Sequence, residues 1–280
     1  MIDDWATTSQ NDWLNGAYAV GESVMLDGAM RAPVVVRLGT RVDGERIAFT
    51  VPLRDGVPVR PDRMPRHALR VPAHLPLRDA LCLPACWPKI YMALVRRLKV
   101  EARDAVLIHD AHTPAGMLAC LLAASLEADV LAICDTADHA RRTIFMGSVE
   151  ATTISTGWPE VMREHGGADV VLDLAGGRYA GASTICARRH ARIGVVDGVR
   201  QLIFDEMQQH RFFSKQLALM AVDWSPIRDA TVALEAATAF DAITRTDIWT
   251  RYVSLRDTLN TTNGGESASA EEFEWTPIET

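Results

Sequence analysis

The stretch Ala105–Gly116, AVLIHDAHTPAG, decides the fold. Its first residues are apolar without polar alternation, as in a strand buried on both faces, and a short turn then enters a second apolar run, Pro114 to Glu127, of helical length. A strand, turn and helix of this kind is where a Rossmann-type domain holds a dinucleotide pyrophosphate. Glycines let the backbone bend tightly and bring its N–H groups to the phosphates at the helix N-terminus. Here only Gly116 supplies a glycine, and Thr113 and Pro114 stand where small, donor-bearing residues are wanted. Pro114 has no N–H to give, although a proline in the first turn of a helix is well tolerated. On these residues alone two readings are open: a nucleotide site that has been lost, and an ordinary βα turn that never held a nucleotide.

Outward from this stretch, strand and helix patterns alternate. Asp129 to Cys134, Ala168 to Leu174, Ala191 to Val196 and Gln216 to Val222 read as strands, and Ala105 to His109 belongs with them. Pro88 to Leu98, Asp138 to Phe145, Trp158 to His165, Arg178 to Arg188 and Ile227 to Ile243 read as helices. Runs such as VLAIC and DVVLDL are continuously apolar, which predicts a doubly wound parallel sheet covered by crossover helices. Its ligand crevice is expected beyond the carboxyl ends of the strands, around His109 to Gly116, Cys134 to Asp138 and Asp173 to Gly177. Before about Leu75 the text is turn-rich, with short β-like runs at Ser23–Leu26, Pro33–Leu38, Arg46–Pro52 and His67–Val71. The expected organisation is therefore a β-rich region over 1–80, a Rossmann-like domain over 81–245, and a C-terminal helix with an acidic linker or tail over 246–280.

Composition narrows the function classes. The chain has 280 residues, 48% of them hydrophobic, and a formal net charge of -7. That acidity argues against nucleic acid or an anionic membrane as partner, since both need a basic surface. Lysine occurs only at 89, 99 and 215, so a catalytic lysine has three candidates. The five cysteines, Cys82, Cys86, Cys120, Cys134 and Cys186, sit mostly in apolar text and read as buried reduced thiols. No Cys or His cluster has zinc spacing, and MREHGG at Met162–Gly167 lacks the second histidine of HExxH, so it reads as a helix end with a glycine stop. The N-terminal residues are acidic and polar, unlike a secretory signal, and a cytoplasmic location is expected. The polar ends would also fit a domain excised from a longer polypeptide.

Several segments in order, LCLPACWPKIYMALVRRLKVEARDAVLIHDA, GADVVLDLAGG and KQLALMAVDW, resemble the enoylreductase domain of reducing polyketide synthases and animal-type fatty acid synthases, a branch of the medium-chain dehydrogenase/reductase superfamily. The resemblance spans about Arg70 to Ile243. It implies an α/β fold with a doubly wound parallel sheet of that superfamily's type, preceded by a truncated, β-rich remnant of a GroES-like substrate domain. GERIAF (Gly44–Phe49) and RHALRVPAHLP (Arg66–Pro76) are what is left of that domain's motifs. The family's activity is hydride transfer from NADPH to an α,β-unsaturated thioester.

The departures from the family pattern are chemical. Where the family reads approximately AAAGGVGQ, this chain reads DAHTPAGM, with Thr113 and Pro114 replacing two of three glycines. Where the family places a serine and, three residues on, a lysine for the cofactor's 2′-phosphate, this chain has Thr136 and His139, and a neutral imidazole is no substitute for a permanent cation at pH 7. The lysine and aspartate proposed to assist the family's reaction fall at Gly198 and Ser225. The other polar residues have bland readings: Asp110 and His112 as exposed loop residues, Asp173 as a cap, and His165, His190 and His210 as solvated. Ser155 and Ser183 lie outside any GxSxG elbow, and Tyr91, matching the family's helix tyrosine, reads equally as a core aromatic.

Together these imply a pseudo-enoylreductase: a catalytically inactive domain of a highly reducing polyketide synthase, possibly one fused to a peptide synthetase. It would serve secondary-metabolite assembly as a structural, homodimerising element, with no cofactor and with enoyl reduction supplied in trans. Catalytic residues are expected to be absent, with Gly198 and Ser225 as the degenerate positions, and Thr113, Pro114, Gly116, Thr136 and His139 as vestiges of a cofactor site. The competing reading is a divergent NADPH-dependent enoyl or quinone reductase holding its cofactor through Gly116, Thr136 and Arg141 or Arg142. A third is a crevice repurposed for another small ligand.

Overall fold

The computed structural model describes residues 18–19, 34–40, 45–54, 57–58, 68–72, 77–145, 148–155, 157–175, 177–196, 202, 204–222 and 230–250. These fall into two compact units. The first holds the strands β1 (Tyr18–Ala19), β2 (Val34–Thr40), β3 (Arg46–Arg54), β4 (Val57–Pro58) and β5 (Leu69–Val71), the helix α1 (Leu77–Tyr91) as far as Pro88, and the last helix, Ala230–Ile243. Its sheet runs β1-β2-β3-β4 with β5 on β3, every pairing antiparallel. The expected runs at 33–38, 46–52 and 67–71 therefore became strands, while Ser23–Leu26 lies outside the described residues. Within this unit Trp87 is fully buried, meets Phe240 edge-on with centroids 5.1 Å apart, and donates its indole N–H to Ala236 O at 2.6 Å. A buried tryptophan needs that acceptor.

The second unit contains the described parts of Lys89–Trp224 and Thr246–Leu255. A π-helical turn (Met92–Arg97) follows α1. Then come β6 (Ala105–Ile108), α2 (Pro114–Ser125), β7 (Asp129–Cys134), α3 (Ala137–Phe145), β8 (Glu150–Thr153), α4 (Trp158–Glu164), β9 (Ala168–Asp173), α5 (Ala180–Cys186), β10 (Ala187–Val196), α6 (Glu206–Ser214) and β11 (Ala218–Val222), leaving Ala230–Ile243 as α7. The six strands form one parallel sheet in the order β11-β10-β9-β6-β7-β8. Read from β8, this is the doubly wound 3-2-1-4-5-6 arrangement, whose strand order reverses between β6 and β9. The crevice of such a sheet lies beyond the carboxyl ends of those two strands.

The interior is what the apolar runs demanded. Val106, Leu107 and Ile108 of β6 and Val170, Val171 and Leu172 of β9 are fully buried, and Leu107 and Val171 pack in one cluster with Leu131, Ile133, Trp158 and Met162. One inter-element polar tie lies at the edge of this core. Arg192 donates to Leu98 O and Lys99 O, both at 2.7 Å, and pairs with Asp104 at 2.6 Å, tying β10 to the loop before β6. Gly166 and Gly167 take left-handed φ of 98° and 76° after α4, and Gly167 N–H returns to Met162 O, the glycine stop read in MREHGG.

Several elements depart from the expectation, β8 among them, for which the sequence predicts no strand. The helix expected to open at Pro88 begins at Leu77 and carries Pro84 and Pro88 inside it, each removing one helical donor. The segment expected to be helical to Arg188 turns into β10 at Ala187, because Ala187 and Ala191 to Val196 are needed in the sheet. Finally, α6 has no counterpart among the expected helices. It has no buried residue and so no apolar stripe, but Asp205 and Gln208 form a reciprocal capping box, and DEMQ is its sequence signature.

Candidate functional site

The loops after β6, β7 and β9 meet at the reversal point of the sheet. After β6 the backbone enters Asp110 at φ 51°, a left-handed position that aspartate tolerates. Thr113 then closes the turn on itself. Its N–H and its Oγ1 both donate to Asp110 O, at 3.0 and 2.8 Å, and its Oγ1 accepts the Gly116 N–H at 3.1 Å. Thr113 is the N-cap of α2, Pro114 the first helical residue, and Met117 N–H is bonded to Thr113 O. Of the N–H groups that open the helix, Pro114 lacks one and those of Gly116 and Met117 are used internally. Gly116 is where it is for space: a Cβ there would lie 2.2 Å from Asp110 O and 2.5 Å from Ala111 Cα.

Three carboxylates surround this turn. Asp173, fully buried at the end of β9, accepts backbone N–H groups of Ala175 at 2.9 Å and Tyr179 at 3.1 Å, so it caps the loop into α5 as expected. Burial pushes its carboxyl up to about 6 against the pull of those donors. Asp110 is raised as well, first by burial, with the fields of His112 and Arg178 opposing and that of Asp135 adding. At Asp135, just past β7, burial works upward but the His139 hydrogen bond and the charges of His112 and His139 prevail, holding it below its ordinary value. His139 Nδ1 and Asp135 Oδ1 are 2.5 Å apart, His112 Nε2 is 3.6 Å from Asp135 Oδ2, and the two imidazoles stack at 5.3 Å with 12° between planes. His112 and Asp110 are thus half-buried members of a charged network. The expectation of exposed loop residues is corrected here, because the αL turn folds both back over the strand ends.

Beneath the turn, His109 is fully buried and pressed between aromatics: Tyr179 stacks on it at 5.0 Å and Trp158 meets it edge-on at 4.8 Å. Its Nε2 is 2.9 Å from Ser183 Oγ, which itself donates to Tyr179 O at 2.9 Å. The serine proton is used there, so Nε2–H donates to Ser183 and Nδ1 carries the lone pair. Among the described residues Nδ1 has no hydrogen-bond partner, and burial drives the imidazole down to about 3, so it is held neutral. A nucleophile role for Ser183 finds no support, since its hydroxyl is buried and engaged.

The remaining candidates have structural employment. Thr136 Oγ1 accepts the His139 N–H at 3.2 Å at the start of α3. Arg141 pairs with Asp138 at 3.2 Å, and Arg142 pairs with the same carboxylate. Lys215 Nζ donates to Thr184 O, Ile185 O and Ala187 O at 2.8, 3.0 and 2.8 Å, satisfying the carbonyls at the end of α5, while Lys99 is exposed in a left-handed turn. Gly198 and Ser225 lie outside the described residues, as does the side chain of Cys82. Cys86, Cys120, Cys134 and Cys186 are buried thiols outside any disulfide; burial pushes Cys134 up to about 11 and Cys186 to about 12. His165, His190 and His210 are exposed, as expected, and His165 pairs with Glu150 at 3.2 Å. Tyr91 is half-buried at the end of α1. Among the described residues no three or more His, Cys, Asp or Glu side chains are grouped to hold a metal, and no helix is long and apolar enough to cross a membrane.

No protein-family model matches the chain. It is 26% identical over 164 residues, 56% of its length, to highly reducing polyketide synthase 40 of Fusarium pseudograminearum (strain CS3096), and spans 6% of that protein. Among solved structures it is similar to the quinone oxidoreductase of Thermus thermophilus, described with its NADPH complex, at TM-score 0.62 and 20% identity over 84% of this chain and 81% of that one. It is also similar to 2-haloacrylate reductase, at TM-score 0.57 and 21% identity over 83% of this chain and 79% of that one. The CurK enoyl reductase follows, at TM-score 0.52 and 17% identity over 83% and 68%. The chain therefore shares the fold of these oxidoreductase structures, built on a Rossmann-type parallel sheet.

Proposed function

We propose that this chain is a pseudo-enoylreductase domain of a highly reducing polyketide synthase, without reductase activity of its own and kept for its place in the assembly. The observation that carries the reading is the closed cap Thr113–Gly116. A pyrophosphate needs several backbone N–H groups converging at a helix N-terminus. This turn spends the Gly116 N–H on the Thr113 hydroxyl and has none at Pro114. Asp110 and its neighbours Asp135 and Asp173 add negative charge where an anion would have to sit. The residues present do not fit the pyrophosphate of NADPH. The competing reductase reading relies on Gly116, Thr136, Arg141 and Arg142, all engaged within the chain.

A thermal-melt titration tests this directly. NADPH up to millimolar concentration is expected to leave Tm unchanged. Mass action requires a ligand present at 100 times its Kd to add about 2.7 kcal/mol, a rise of several degrees, and such a rise would return the chain to the active reductases.

An architectural role fits the free flank of the parallel sheet. Among the described residues β11 pairs only with β10, and Leu219 and Ala221 are exposed along it. An edge strand of this kind, one of whose carbonyls, Ala221 O, already accepts from Arg97 at 3.2 Å, is a template for a second copy. Leu219→Lys is expected to lower the fraction of dimer in sedimentation experiments, since like charges would face each other across the two-fold axis. An unchanged distribution, or a wild-type chain that stays monomeric at high concentration, would remove the edge-pairing role.

A further inference from the structure

At the amino ends of β9, β10 and β11, opposite the crevice, the end of α4, the start of β10 and the end of α6 meet. Arg188 donates to Gly166 O at 2.8 Å, and the His190 N–H donates to Lys215 O at 2.8 Å. The junction gathers cations that the chain leaves without counter-charges. Arg188 pairs with Asp169, but Arg189 reaches only Ser214 O, at 3.4 Å. Arg163 and Arg211 pair with no carboxylate among the described residues, and Glu160 and Glu164, on α4 with Arg163, bridge neither of them. Lys215 feels both arginines: burial first, and then the fields of Arg211 and Arg163, hold its ammonium below its ordinary value, with Cys186 opposing. In a chain of net charge -7, arginines lying within one another's fields without a partner invite an anion. Beside them, in the last turn of α6, Phe213 is 76% exposed.

The missing counter-charge stands in the same sequence. After Arg256 there is no lysine or arginine, while Asp257, Glu266, Glu271, Glu272, Glu274 and Glu279 follow, with Phe273 and Trp275 interleaved among the glutamates of EEFEW at 271–275. We propose that this acidic, aromatic segment, 271–275, docks on the cationic face of its own chain, its carboxylates against Arg163, Arg189 and Arg211 and its aromatic side chains toward Phe213 at the end of α6. Both chemistries that the face offers are matched within five positions of sequence. Thr250 belongs to the same unit, and the 21 positions from there to Glu271 extend to about 70 Å, against about 40 Å across a unit of this size, so the whole surface is within reach. Exposed ion pairs are individually weak, but tethering supplies a local concentration on the order of millimolar, so a weak contact is enough. Nothing at this face depends on the nucleotide turn or on the reading of the crevice.

The test uses the full 280-residue chain with Ala270→Cys carrying a nitroxide label, and the parent chain taken through the same labelling as control. NMR intensities of the Arg189, Phe213 and Gln216 amides report the proximity of the label. In low salt it is expected to cut them at least about twofold relative to the control, and the cut should survive about tenfold dilution, because the contact is intramolecular. Glu271→Gln, Glu272→Gln and Glu274→Gln together should abolish the cut. Arg163→Gln with Arg211→Gln should do the same from the other side of the contact, and NaCl at about 0.5 M should weaken it by screening. Amides left at full intensity in low salt, a cut that neither set of glutamine variants alters, or one that fades on dilution, which would assign the face to the segment of a second copy, would each overturn the proposal.

Discussion

Asp173→Asn is expected to lose stability relative to wild type as the pH falls from about 6 to about 4, by roughly 1.4 kcal/mol per pH unit and about 3 kcal/mol in all. Asp173 is pushed from its ordinary 3.8 to about 6 in the folded chain. In that window the folded state keeps a proton that the unfolded chain has released. Its contribution is therefore fully present below the unfolded value and is lost as pH rises through about 6. His109 works the other way. Buried against Tyr179 and Trp158, it is driven from 6.5 to about 3, so below 6.5 the unfolded chain takes up a proton that the folded one refuses. That group withdraws stability steadily as pH falls from 6.5 toward 3. Between about 4 and 6 the two exchanges cancel: imidazole plus carboxylic acid in the folded state hold as many protons as imidazolium plus carboxylate in the unfolded one. Removing the titration of Asp173 exposes the full slope of His109. Urea unfolding of both chains at several pH values checks this, because every other titrating group cancels in the difference. Parallel curves for the two chains would show that Asp173 stays ionised in its loop, held by the Ala175 and Tyr179 amides.

The parallel sheet was legible because its strands are buried on both faces, and continuous apolar text has few other destinations. Asp129–Cys134 matches β7 residue for residue, and Ala105–His109 and Ala168–Leu174 overrun β6 and β9 by one residue each. What escaped was whatever carries no apolar signal. EATT of β8 is half-buried throughout, and α6 has no fully buried residue, only Phe212 packing partly against the core, so its capping box is the clearer signal. The site divides along the same line. Thr113, Pro114 and Gly116 are local to one turn, and the donor missing at Pro114 can be read from the letters alone. The link between His112 and Asp135 joins two loops 23 positions apart, and no local pattern relates them. The i,i+4 spacing of Asp135 and His139 was a usable signal, since such pairs meet on the first turn of a helix.

Gly116→Ala is expected to destabilise the chain by about 3 kcal/mol and to lower Tm by about 8 °C. The added methyl would stand 2.2 Å from Asp110 O and 2.5 Å from Ala111 Cα. Both are backbone atoms in a turn already pinned by Thr113, so no side chain can swing away, and α2 must lift off β6. Gly157→Ala is the control, because nothing lies within 4 Å of a Cβ there, and it should melt within about a degree of wild type. Thr113→Ala removes the cap and the hydroxyl's bond to Asp110 O and should cost about 1 kcal/mol. If Gly116→Ala melts like Gly157→Ala, the close seat of α2 on its turn is wrong. The ordering of the three variants also bears on function. A glycine in a nucleotide turn can serve the phosphate or the packing of helix on strand, and in this chain the contacts at Gly116 are packing contacts. Its presence is therefore compatible with a turn that binds no phosphate, and the proposed loss of the site rests on the Thr113 cap and the missing donor at Pro114 instead.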